Sequence, residues 1–461
     1  MVKLTPELWG LSVNEKNHLT VGDVDAVELM EKYGTPVYIV NEERLRHNYN
    51  RFQTAFKARY PNVEVSYSYK TNCISGVLNV LHETGAKAEV ISGYELWLAR
   101  RLGVRPDSII FNGPNKTQEE LSTAIKQGIK LINADSLSEI EAIDKISAGL
   151  GLKANLGIRV NPGIVPKGMS VGTATGSRKA QFGVDMKTGE ALQAFRRASA
   201  LNNVNLLGMH CHIGSGVKDP KAYAVAAKKM LNLAGEVKRS LGKKLYYLDL
   251  GGGFGTPGHQ DFSTFETFLH LGLNRMPPPP DPASCPNIEV FADTITEAIR
   301  ESCAAYGVAE PTLILEPGRY ITGDTQILLL KVRMIKDRPG VAKFAITEGG
   351  FLSTSLMLVA EYHHLFLANK MHMPTEETYR IYGRVCTSAD FLYKGVKLPT
   401  LEEGDVLAVM DTGAYFLATS TNFAYPRPPV VMAKNGRSWL IRAGESFEDL
   451  VRNDVFPVIP P

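Results

Sequence analysis

Cysteine is scarce. The five thiols (Cys73, Cys211, Cys285, Cys303 and Cys386) among 461 residues are odd in number and show no Cys-x-x-Cys spacing, which argues against both a disulfide framework and a zinc site. Neither charge sign dominates: 51 basic against 48 acidic residues leave a net charge of +3, too balanced for a broad nucleic-acid surface or a membrane patch. No apolar run approaches the roughly 18 residues of a membrane span, and the opening MVKLTPELWG lacks a signal peptide's apolar core. A cytoplasmic protein is expected. No solenoid-type repeat is visible. With 44% hydrophobic and 21% charged residues, the composition is that of a folded globular protein, ruling out a disordered or collagen-like chain.

What is present is a rhythm. Short apolar, β-branched or aromatic runs recur at 63–69 (VEVSYSY), 88–92, 108–111, 130–134, 155–160, 206–212, 245–250 and 312–316. Most of the gaps between them hold helical-period stretches such as KTQEELSTAIKQG and DSLSEIEAIDKI. Strand alternating with helix signals a parallel sheet, and eight such units predict a closed β/α barrel. Beyond about residue 325 the runs are strand-like with few helical segments between them, and Asn435–Gly436 separates two of them as a hairpin turn does. The expected class is therefore α/β, with a barrel over 41–325 and a β-rich sandwich- or barrel-like domain made of 1–40 and 326–461. The proline tract 276–286 reads as an excursion between the last two barrel strands.

Polar and glycine-rich residues fall just after the predicted strands, which in a β/α barrel gathers them on the C-terminal rim. Lys70 ends the first strand; alone it reads most simply as an ion-pair partner, but with a depressed pKa it is a nucleophilic amine. LDLGGGFG (248–255) lets backbone N–H groups approach an anion but is not a nucleotide P-loop. MHCHIGSG (209–216) adds a histidine, glycines and Ser215; His210 and His212, two apart on a strand, face opposite ways and are not expected to share a metal. LEPGRY (315–320) contributes Glu316, Gly318 and Arg319. A lysine, a stacking ring, an anion cradle, a carboxylate and an arginine on one rim are what pyridoxal 5′-phosphate requires. No metal is expected.

The ordered segments YSYKTN, EVISGYEL, FNGPNK, HCHIGSG, LDLGGGFG, EPGRY, CTSADFL and GAYFLATSTNF resemble the alanine-racemase-fold (fold type III) group of pyridoxal phosphate decarboxylases, nearest to diaminopimelate decarboxylase and its ornithine-decarboxylase relatives. The resemblance spans roughly 35–450 of the chain. It implies that Lys70 carries the cofactor, His212 stacks on its ring, Ser215, Gly252 and Gly253 lie near its phosphate, Gly318 belongs to the cofactor-binding set, and Glu316 meets its ring nitrogen. By the same resemblance Arg319 binds phosphate or a substrate carboxylate, and Tyr415 touches cofactor or substrate. The resemblance also implies that Cys386, followed by Thr387 and Asp390 in the substrate-binding segment, reaches across a homodimer interface to protonate the reacting carbon after CO2 leaves.

Two departures concern the substrate. The family's acidic residue after the cysteine, which reads a distal ammonium, is Thr387 here. The family's arginine and tyrosine that hold a distal carboxylate correspond to Leu356 and Ala360 in the stretch 348–364. A buried charge without its partner costs several kcal/mol, so meso-diaminopimelate, lysine and ornithine are expected to be poorly held. The CT motif and the closing NGRSWLIRAGESFEDLV resemble relatives that act on an amino acid tethered to an acyl carrier protein, which would then be a partner. The alternatives are a meso-diaminopimelate decarboxylase, an amino-acid racemase and a catalytically silent binding homologue. The loop 161–183 is expected near the site as a mobile lid.

Overall fold

The computed structural model describes residues 4–169 and 174–455 and divides into two compact units. Residues 170–173 of the expected lid, and the ends of the chain, lie outside the described residues.

The first unit, Leu45–Pro257 with Asp281–Thr322, is a barrel. Its strands are β1 (Val63–Ser68), β2 (Lys87–Val90), β3 (Ile109–Phe111), β4 (Leu131–Ala134), β5 (Ala154–Asn161), β6 (Val204–His210), β7 (Tyr247–Asp249) and β8 (Thr312–Leu315). Each pairs in parallel with the next, and β8 pairs with β1 to close the ring. Runs such as Ile109–Phe111 and Leu131–Ala134 are buried throughout, as parallel strands covered on both faces must be. After β2, β3 and β4 the chain enters a helix through an N-cap: Ser92 accepts from Glu95 N, Thr117 forms a capping box with Glu120, and Ser136 accepts from Glu139 N. These caps satisfy amides that a helix start otherwise leaves open, and they fix the short loops between strand ends and helices.

The second unit comprises Met1–Arg44, Gly258–Pro280 and Gly323–Pro461. Its main sheet runs Phe391–Leu398, Glu377–Tyr382, Ala342–Thr347, Gln326–Arg338, Val37–Asn41, Val430–Lys434 and Arg437–Arg442, over a core that includes Trp9, Leu29, Ile39, Leu329, Ala408 and Val431. Asn435 and Gly436 both adopt positive φ, 48° and 70°, the geometry of the expected two-residue hairpin turn. Among the described residues no helix is long and apolar enough to cross a membrane.

The expected domain boundaries need one correction. Residues 258–280 belong with the β-rich unit, because Gln260–Asp261 pairs antiparallel with Glu361–Tyr362 and Phe262 and Met276 pack against that unit's core. The proline tract therefore begins in one unit and ends in the other.

Candidate active site

At the end of β1 the backbone tightens into a single 3-10 turn, Tyr69–Thr71, so Lys70 stands just past the strand. Its Nζ donates to Ser68 Oγ (2.7 Å) and to Glu89 Oε2 (2.9 Å). Glu89 lies on β2 and is fully buried, an arrangement a carboxylate tolerates only with partners. Its other oxygen accepts from Asn112 Nδ2 at 3.0 Å, and Asn112 Nδ2 also donates to Glu316 Oε1 at 2.7 Å. Asn133 Nδ2 in turn donates to Asn112 Oδ1 at 2.8 Å. A buried polar chain thus runs from the lysine to Glu316 through the ends of five barrel strands and their loops.

Glu316 sits beside a second carboxyl, Asp249, and beside His210, whose Nε2 is 3.5 Å from Glu316 Oε2. Burial pushes both acids up, but the imidazole of His210, the Lys70 ammonium and a hydrogen bond from Asp249 outweigh it at Glu316 and hold that group well below the usual carboxylate range. Asp249 goes the other way: burial and the neighbouring Glu316 charge raise it well above its ordinary value. One carboxylate and one neutral carboxylic acid therefore share the floor, leaving a single negative charge.

His212 lies beyond the end of β6, not within the strand, so its facing does not follow from strand alternation. Its Nδ1 accepts from Gly252 N at 3.2 Å. Burial, then Lys70 and Arg159, hold its pKa down to about 3, so the ring is neutral. Arg159 on β5 is buried, 3.5 Å from Asp135 and stacked 4.4 Å over Phe182. The glycine loop is backed by Tyr223, which stacks on Phe254 and donates to Gly252 O at 2.7 Å. A Cβ on Gly253, whose φ is +87°, would lie 1.8 Å from Gly214 O, and one on Gly252 would lie 2.0 Å from Glu316 O; neither position admits a side chain. Ser215 sits half-buried beside this loop, while Gly318 is pressed on Thr71 and Arg319 is buried.

Four expected residues lie in the β-rich unit. Cys386 is exposed. Thr387 Oγ1 accepts from Ala389 N at 3.2 Å, capping its own turn. Tyr415 adopts a φ of +66°, which a non-glycine residue seldom takes and which clusters at functional positions. Asp390 corrects the expectation of a substrate contact: it is fully buried and its carboxylate accepts from Leu352 N (3.0 Å) and Val385 N (2.9 Å). It ties the turn carrying Cys386 to the 351–354 helix and is a positioning residue. The side chain of Leu356 lies outside the described residues.

Sequence reasoning passed over Glu89, Arg159 and Asp249, and gave Asn112 and His210 no role in the site. The signal was available, since a charged residue inside a strand buried on both faces is rare unless it is paired.

The group the sequence points to fits these residues. A buried, ionised Glu316 suits a protonated ring nitrogen, a half-exposed lysine amine suits an aldehyde carbon, and the glycine turns beside Ser215 suit a phosphate. The closed barrel and this rim define the class of pyridoxal phosphate enzymes built on a β/α barrel. Residues 43–323 match the family described as pyridoxal-dependent decarboxylase, pyridoxal binding domain. The diaminopimelate decarboxylase of Methanothermobacter thermautotrophicus is 35% identical over 97% of this chain and 98% of its own length, and that of Bacillus subtilis is 31% identical over 96% of each. The crystal structure of diaminopimelate decarboxylase from Methanocaldococcus jannaschii superposes with a TM-score of 0.83 at 31% identity, covering 97% of this chain and 98% of that one. The chain belongs to the pyridoxal-dependent decarboxylase family. It is an enzyme, a pyridoxal 5′-phosphate-dependent amino-acid decarboxylase, and of the sequence alternatives the racemase and the silent homologue give way.

Proposed function

We propose that this decarboxylase acts on an α-amino acid whose far end is not the free amino-carboxylate of meso-diaminopimelate, and that an acylated or carrier-tethered tail takes its place. The observation that carries this is the composition of the loops around Cys386. The run 349–360 contains no lysine or arginine, Phe351 is stacked on Phe391 at 5.8 Å, and Thr387 spends its oxygen on its own backbone turn. A charged tail buried there would go unpaired.

Pyridoxal phosphate, when bound, supplies the electron sink for the bond that breaks at the α-carbon. Lys70 binds it through its amine, which Ser68 and Glu89 hold in place. Glu316 holds a proton at the ring nitrogen, and its low pKa keeps it the charged partner. His212, kept neutral, stacks on the ring without adding charge. Ser215, Gly252, Gly253 and Gly318 bind the phosphate; Arg319 binds it or the substrate carboxylate, and Tyr415 orients cofactor or substrate. Cys386 delivers the proton to the α-carbon once CO2 has left, working in a homodimer as the partner chain's residue.

A second reading, decarboxylation of meso-diaminopimelate itself, is favoured by the names of the similar proteins and by Arg384, a cation stacked 3.7 Å over Tyr425 in the same unit. Mass-spectrometric detection of CO2 loss distinguishes the two, with meso-diaminopimelate, lysine, ornithine and arginine offered beside aminoacyl thioesters of pantetheine and of a carrier protein. Turnover of thioesters alone is expected; preferred turnover of meso-diaminopimelate establishes the second reading.

A further inference from the structure

The β-rich unit contains a second group of ionisable side chains to which the decarboxylation chemistry gives no role. Gln260–Asp261 pairs antiparallel with Glu361–Tyr362, in the register that sets Asp261 directly opposite Glu361. Two carboxylates facing each other across a strand pair repel, and Glu361 is almost wholly buried, at 3% side-chain exposure. His259 Nε2 lies between them, 3.2 Å from Asp261 Oδ1 and 3.4 Å from Glu361 Oε2, and one donor atom from each of the three falls within 4.8 Å of the others.

The fourth member is His363. Its side chain is fully buried, and its Nδ1 lies 3.0 Å from Met410 O. A carbonyl only accepts, so Nδ1 carries the proton and Nε2 presents a lone pair. That lone pair makes no hydrogen bond and stands 3.5 Å from Glu361 Oε2, itself a lone-pair acceptor. Two acceptors held face to face in a buried site repel, and a cation between them relieves that repulsion. An Nδ1–H pinned to a backbone carbonyl is also how a metal-binding imidazole is oriented.

We infer that His259, Asp261, Glu361 and His363 bind one divalent cation of the zinc class. Nitrogen and carboxylate donors at about 2.0–2.2 Å in a tetrahedron stand about 3.3–3.6 Å apart; His259 lies 3.2 and 3.4 Å from Asp261 and Glu361 in the compact group of three, and His363 adjoins it 3.5 Å from Glu361. The absence of a thiolate and the pair of imidazoles favour zinc, cobalt or manganese over magnesium. Asp261, with 39% of its side chain exposed, gives the ion a way in from solvent. The bound ion cancels the Asp261–Glu361 repulsion and clips the 258–261 segment to the strand at 361–362, a structural role separate from the decarboxylation.

The test uses the tag-free, full-length holoenzyme. Elemental analysis by mass spectrometry is expected to find about one zinc-class ion per chain, and chelated protein is expected to take up about one Zn2+ in calorimetric titration, with Co2+ giving the visible bands of a four-coordinate site. Asp261→Asn, at a partly exposed position that should leave folding intact, is expected to weaken Zn2+ binding by at least about tenfold, with the cofactor's visible absorbance and the far-ultraviolet dichroism unchanged. His363→Gln is the second variant, expected to weaken it as well. No Zn2+ uptake by the wild-type protein overturns the inference and leaves a protonated His259 as the compensating cation. Unchanged affinity in Asp261→Asn overturns it too.

Discussion

Two carboxyls share the floor of the barrel, and the one that is neutral is as informative as the one that is charged. Asp249 Oδ1 accepts from Gly251 N at 2.9 Å, and burial beside the Glu316 charge raises its carboxyl well above its ordinary value. An asparagine keeps the acceptor for the Gly251 amide and is neutral, as the raised acid is. Asp249→Asn is therefore expected to leave kcat within about tenfold, whereas Glu316→Gln, nearly the same shape without the charge, loses the partner of the protonated ring nitrogen and about 10²–10⁴ in kcat. Steady-state CO2 release from the two variants checks this; comparable losses in both would sink the assignment of the charge to Glu316. The residues that reading the sequence supplies are those at strand ends, such as Lys70 and Glu316, where a polar group after an apolar run stands out. Glu89 and Asp249 were harder to see because they lie inside short strands, where one polar residue among apolar neighbours leaves the run intact. Their role comes from partners on other strands, and a single strand does not reveal those partners.

At the scale of elements, the eight barrel strands and the Asn435–Gly436 hairpin were legible because period and turn chemistry are local properties. The membership of 258–280 was not, since a short strand and a helix suit either unit and only the long-range pairing with Glu361–Tyr362 decides it. The helix of that segment, Thr264–Leu273, starts at a Ser263/Glu266 capping box and turns His270 inward between Phe262 and Phe391, with ring centroids 5.5 and 5.7 Å away. Neither nitrogen of that ring makes a hydrogen bond. Burial, aided by the Lys394 cation, holds its pKa down to about 4. The folded state thus keeps His270 neutral while the unfolded chain takes up a proton below about pH 6.5. Stability contributed this way is fully present above pH 6.5 and is lost as the pH falls toward 4, at up to about 1.4 kcal/mol per pH unit. Urea midpoints at pH 7 and pH 5 are expected to differ by less in His270→Phe than in the wild type, by on the order of 1–2 kcal/mol in unfolding free energy. Equal acid sensitivity in both proteins would remove His270 as the cause.

For the whole molecule, the question is whether Lys70 and Cys386, proposed to serve one reaction, belong to one chain. They lie in different compact units, Lys70 in the barrel and Cys386 in the β-rich unit, and Cys386 is exposed. The β-rich unit also turns large apolar side chains to solvent, Phe265 at 66% and Phe268 at 57% exposure, a cost that association would relieve. A homodimer with sites completed across its two-fold axis makes a quantitative prediction. Lys70→Ala alone loses the visible absorbance of the lysine-bound cofactor and all turnover, while Cys386→Ala alone keeps the absorbance and loses about 10²–10⁴ in product formation. When the two proteins are mixed in equal amounts and allowed to exchange subunits, half of the dimers are hybrids. Each hybrid joins one intact Lys70 to one intact Cys386 at a single site, so the mixture is expected to recover about one quarter of wild-type activity. The wild-type protein should sediment at twice the mass of its chain. Sedimentation as a monomer, or a mixture no more active than the sum of its parts, would return Cys386 to the chain that carries its lysine.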